Sequence, residues 1–168
     1  ISLSSVTIGA AGMGTVVLSA GSNFNNATRR DGNSNGDILM TSGAIVQSQD
    51  GNITLQAPDE VLLSIVNANS DSFGAVGDIT VTADFAGPDT SGGAGDTYGS
   101  DGVGSISDVL ASEAANLTGN LATLSAATGI GSADDLDADL VQVNVANSPS
   151  GNVMITEVAG AGDNALEV

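Results

Sequence analysis

The 168 residues carry 20 Asp and Glu against only two basic side chains, Arg29 and Arg30, for a formal net charge of -18. That field repels nucleic acid and anionic lipid, which excludes direct nucleic-acid binding, and it attracts cations. Cys, His and Lys are all missing. Disulfide and thiol chemistry are therefore excluded, and the common zinc ligands and the usual bases for a Ser nucleophile are absent.

The length suits one domain. Aromatic residues make up 2% of the chain, so Ile, Leu, Val and Ala must fill the core. Such small, uniform side chains suit a narrow, repetitive interior. An apolar content of 41% and a positive mean hydropathy argue against disorder despite 23 Gly. No run approaches the ~20 apolar residues of a membrane helix, so membrane insertion is not expected. The chain opens on Ile1 without an initiator Met or signal peptide, as expected of a processed product or of an excerpt from a longer protein.

In chain order, Ile1, Leu3, Val6 and Ile8, then Val16, Val17 and Leu18, predict two short strands split by a small-residue turn at 9–12. Residues 165–168 are again strand-like, so neither end reads as a polar cap. Neighbouring rungs, from the same longer chain or from another copy, are expected to cover both ends. A polar loop at 21–35 holds both arginines.

A short phrase then returns four times: Gly36-Asp37-Ile38-Leu39-Met40-Thr41, Gly51-Asn52-Ile53-Thr54-Leu55-Gln56, Gly77-Asp78-Ile79-Thr80-Val81-Thr82 and Gly151-Asn152-Val153-Met154-Ile155-Thr156. Gly with Asn or Asp tolerates positive φ and marks a turn. The aliphatic residues two apart fall on one face of a strand. Each phrase thus predicts a corner feeding a half-buried strand, the rung of an all-β, parallel β-solenoid spanning 1–168 as one unit. The unequal spacing allows a phrase to mark one face of a coil. A coil of ~22 residues would make roughly seven rungs, ~4.8 Å apart.

Strands are expected at 38–41, 44–47 and 53–57. The apolar run 61–66 is expected either to be buried on both faces or to span a corner. Residues 86–104 are the most Gly-rich, and predict a protruding loop and a possible sub-boundary. Residues 106–126 fit helical spacing, but Gly119 and frequent Thr favour strand and turn.

The stretch Gly129-Ile130-Gly131-Ser132-Ala133-Asp134-Asp135-Leu136, with Leu140 to Val145 and Ser150 to Glu157, resembles the repeat regions of filamentous haemagglutinin-like large bacterial exoproteins. The resemblance implies a right-handed parallel β-helix, secretion to the cell surface or medium, and a stalk or adhesive role. Its implied partners are neighbouring repeats, further copies meeting end to end, or a polysaccharide or other cell-surface ligand.

Several residues are candidates for chemistry. Asp31, Asn33, Asn35 and Asp37 match the first half of a calcium loop, with oxygens at alternate positions and Gly36 at the bend. The twelfth position is Ser42 where a bidentate Glu belongs, so the segment reads as a plain turn or as a weak Ca2+ site. Asp134, Asp135, Asp137 and Asp139 could pair as acid and base in glycoside hydrolysis. Their alternation with Leu136, Ala138 and Leu140 instead predicts a solvated strand face, and no enzyme activity is expected. Arg29 or Arg30 beside a cation at Asp31 would suit a calcium-dependent polysaccharide-binding or polysaccharide-cleaving β-helix, the alternative function; pairing with surface acids is the plainer role. Thr80-Val81-Thr82 resembles one rung of a Thr-x-Thr ladder but occurs once. Asn26, Asn52 and Asn116 are glycosylation sequons.

Overall fold

The computed structural model describes residues 1–20, 36–71, 76–85, 102–132, 134–147 and 150–158. Among these, every regular element is a β-strand and every pairing is parallel. The chain visits three strand positions and then returns beside its starting point, one step further along. The first circuit is β1 (Ser2–Leu3), β2 (Thr7–Ala10) and β3 (Val16–Ser19). The second is β4 (Ile38–Met40), β5 (Ile45–Ser48) and β6 (Ile53–Ala57). The third is β7 (Val61–Leu63), β8 (Ile65–Asn67) and β9 (Ile79–Ala83).

The fourth circuit, β10 (Ile106–Asp108) and β11 (Leu117–Ala126), merges its last two positions into one long strand. The fifth does the same, passing from a bridge at Ile130 into β12 (Leu136–Asn147). The sixth continues through Val153 to β13 (Ile155–Glu157). Three ladders result. The first runs β1-β4-β7-β10 and on through Ile130 and Val153. The second, β2-β5-β8, and the third, β3-β6-β9, join where β11 runs straight through the corner that separates them earlier. This arrangement is consistent with a β-solenoid.

Several expectations hold and others are revised. Residues 61–66 do span a corner, between β7 and β8, and 106–126 contain β10 and β11 and no helix. The opening segment makes three strands where two are expected, because Ser5, with φ of 49°, breaks the first run and Gly9 lies inside β2. Ile106, Ile130 and Val153 follow one another at 24 and 23 positions, close to the expected coil length. The first ladder has six described positions and not seven, since its steps from Ser2 to Leu39 and from Val61 to Ile106 span 37 and 45 positions. Residues 86–101 and 165–168 lie outside the described residues.

Core residues stack on one another between rungs. Val16, Ile53, Ile79 and Ala122 align in one column, and Leu55, Val81 and Leu124 in the next. Val46, Val66, Leu117 and Ala138 form the matching column of the second ladder. Apart from Val16, at 7%, all of these are fully buried. Each large aliphatic side chain so enclosed contributes about 1.5–3 kcal/mol of hydrophobic stabilisation before conformational entropy is subtracted.

The repeated glycines serve two purposes. Gly36 and Gly151 have φ of 114° and 96°, as a turn reading expects. Gly51 and Gly77 are needed for space: a Cβ on Gly51 would lie 2.2 Å from the carbonyl oxygen of Gly14, and one on Gly77 2.2 Å from that of Gly51. Successive rungs thus touch backbone to backbone at this corner. The next residue bridges outward, Asp78 N–H donating to Asn52 Oδ1 at 2.9 Å and Asn120 Nδ2 to Asp78 Oδ1 at 2.9 Å. The buried Ser48 hydroxyl locks the bend, donating to Gly14 O and accepting from Gly51 N–H.

Candidate functional site

The corner between the first and second ladders is built differently. Here Ser64, Asn116 and Asp137 turn inward and are 0%, 0% and 3% exposed. Asn116 Nδ2 donates to Ser64 O at 3.1 Å and to Asp108 Oδ1 at 2.6 Å. Its Oδ1 accepts from Asp137 N–H at 2.9 Å, while its own N–H donates to Asp137 O at 2.8 Å. One asparagine therefore ties three circuits together. Asp108 Oδ1 also accepts from Leu110 N–H at 2.6 Å, closing the turn after β10.

Asp137 overturns the expectation of a solvated strand face. Leu136, Asp137 and Ala138 are all buried, because Asp137 stands at the start of β12, next to the turn before it and hydrogen-bonded through its backbone to the buried Asn116, so that both sides of the strand are covered there. Its register partner on the next rung is Thr156, which adds cover. The Oδ1 atom is buried without a hydrogen-bond partner among the described residues. Burial, with the negative charges of Glu113, Asp135, Asp108 and Asp134, raises its pKa above the ordinary 3.8. Asp134 is exposed, Asp135 and Asp139 are half-buried, and Asp135 Oδ2 accepts from Thr156 Oγ1.

Of the candidate calcium ligands, Asp31, Asn33 and Asn35 lie outside the described residues, as do Arg29, Arg30 and Asn26. Asp37 is buried, and its Oδ1 accepts from Glu60 N–H at 3.0 Å, an interaction that joins consecutive rungs. It borders a hollow of about 260 Å³ with Asp59, Glu60, Gly104 and Ser105. Among the described residues, no three carboxylates are placed to hold a metal ion together.

Asn116, flagged in the sequence only as a sequon, is closed to glycosylation by its complete burial. Asn52 is exposed, with its Oδ1 engaged by Asp78. The sequence did carry one cue to the polar corner. Ser64 interrupts an otherwise apolar run, and Asn116 and Asp137 each stand directly beside buried aliphatic residues.

Thr80-Val81-Thr82 is not isolated in space. Thr54, Thr80 and Thr123 align in register on the outer face of the third ladder, and Gln56, Thr82 and Ser125 form a parallel column. Val17, Ser19, Asn144 and Ala146 extend the two columns, so this face carries no charge in a strongly acidic chain.

The class of protein defined by these features is an all-β chain of stacked parallel rungs. Compared with known proteins, the chain matches no family, no curated sequence and no solved structure.

Proposed function

We propose that the chain is a segment of a right-handed parallel β-helix that acts as a stiff rod in a secreted bacterial surface or extracellular protein, of the filamentous haemagglutinin-like kind its phrases resemble. The observation that carries this reading is the unbroken parallel register of the ladders over one continuous aliphatic core. Every circuit hydrogen-bonds to the next, so a load along the axis is shared by whole ladders. Right-handedness rests on the strong preference of parallel crossovers for that hand.

The unpaired sheet edges support the same reading. Among the described residues, the outer edges of β1, β2 and β3 carry no strand partner. Near them Ile1, Val6, Met13 and Val17 are 45%, 38%, 78% and 61% exposed. An open edge with apolar side chains is a template for another strand. The occupant we assign is a further rung, supplied by an adjoining repeat or by a second copy joined end to end.

Negative-stain electron microscopy with analytical ultracentrifugation tests this. Rods about as wide as one coil, lengthening with concentration, are expected, and Thr7→Pro in β2, whose N–H faces away from β5, should shorten them by removing an edge N–H. Compact particles that ignore both concentration and the proline would overturn the proposal.

A further inference from the structure

We propose that the Asp137 corner is a proton-operated latch: the fold encloses a carboxyl among other acids and leaves one oxygen without a hydrogen bond, so that taking up a proton tightens the junction of circuits four to six. The inference is independent of the rod's biological role.

The groups around Asp137 come from every side. Asp108 approaches from β10, Glu113 from the segment between β10 and β11, and Asp134 and Asp135 from the turn before β12. On β13, Thr156 is the register partner and Glu157 is the next residue; on β12 itself Asp139 follows two positions on. Asn116 supplies the polar contacts from the β11 side, but only to the Asp137 backbone. The chain's two arginines lie outside the described residues. Every titratable side chain named here is thus an acid.

Both physical effects act in one direction. Removal from water disfavours the carboxylate, and so does each neighbouring negative charge. The neutral acid relieves both and gains an O–H donor. Because the folded pKa lies above the unfolded value of 3.8, the folded chain holds this proton at pH values where the unfolded chain has released it. The resulting stabilisation is fully present below the unfolded pKa and is lost as pH rises through the folded one. At neutral pH the ionised carboxylate weakens the corner.

Thermal unfolding followed by circular dichroism between about pH 4 and about pH 8, in buffer containing EDTA, separates this site from the general effect of net charge. Asp137→Asn keeps the shape and removes the charge; Asp71→Asn makes the same change in net charge elsewhere. The expected result is a wild-type Tm that falls with rising pH, and a flatter profile with a higher neutral-pH Tm for Asp137→Asn than for Asp71→Asn. An Asp137→Asn profile parallel to wild type, or a lower neutral-pH Tm, would overturn the latch. Carbon-detected NMR titration of the wild-type chain decides the matter even if the variant fails to fold: the Asp137 carboxyl should titrate above 3.8, and titration at or below that value rejects the proposal.

Discussion

Two corners of the same coil solve one problem in opposite ways. At the corner of Gly14, Gly51, Gly77 and Gly119 the side chains are removed, and adjacent rungs meet through their backbones. At the corner of Ser64, Asn116 and Asp137 the space is filled with polar groups that bond from rung to rung. The glycine corner is intolerant of any added atom. The polar corner contains side chains and so accepts some change of shape, yet it carries a buried group that can ionise. A repeating fold can therefore place its steric constraint and its electrostatic sensitivity at separate edges of one coil.

Breaking the glycine corner should have the largest effect. Gly77→Val forces a branched side chain against the Gly51 carbonyl, and a loss of about 3 kcal/mol or more is expected in urea unfolding. The outcome that would count against the steric account is a Gly77→Val chain as stable as wild type. At the polar corner, Asn116→Ala leaves the buried Asp137 N–H and the Ser64 carbonyl without side-chain partners. A loss of about 2 kcal/mol is expected by the same measurement.

Charge should matter less than either. Raising salt from 0.1 M to 1 M shortens the Debye length from ~10 Å to ~3 Å and relieves self-repulsion in a chain of net charge -18. An increase of about 1 kcal/mol, read as a Tm higher by ~2–4 °C, is expected at neutral pH. Calcium should act in the same direction, and a Tm indifferent to both would refute the self-repulsion argument. The smallest effect belongs away from both corners. Thr80→Val on the uncharged outer face should change stability by no more than about 0.5 kcal/mol, since its side chain points away from the core.

Local pattern carried much of this fold. Ile53 and Leu55, or Ile79 and Val81, alternate with Thr and Gln, and that period of two is enough to name a strand and its inner face. The run at 61–66 allowed either burial on both faces or a corner, because a single short strand could not bury all its apolar residues on one side, and the structure places a corner there. The same rule failed at Asp137, where alternation with Leu136 and Ala138 pointed to solvent. Alternation describes a strand with one face in water, and Asp137, at the start of β12, is covered on both sides.

The sequence by itself determined an acidic, aliphatic, all-β chain with glycine-marked corners, because composition and two-residue periodicity are local properties of the backbone and its side chains. Tertiary structure alone decided which rungs became neighbours. It set Gly51 against Gly14, aligned Thr54 with Thr80 and Thr123, and enclosed Asp137 beside Asn116. Those pairings join residues separated by stretches of unequal length, and their order follows from how whole circuits stack to bury one shared core.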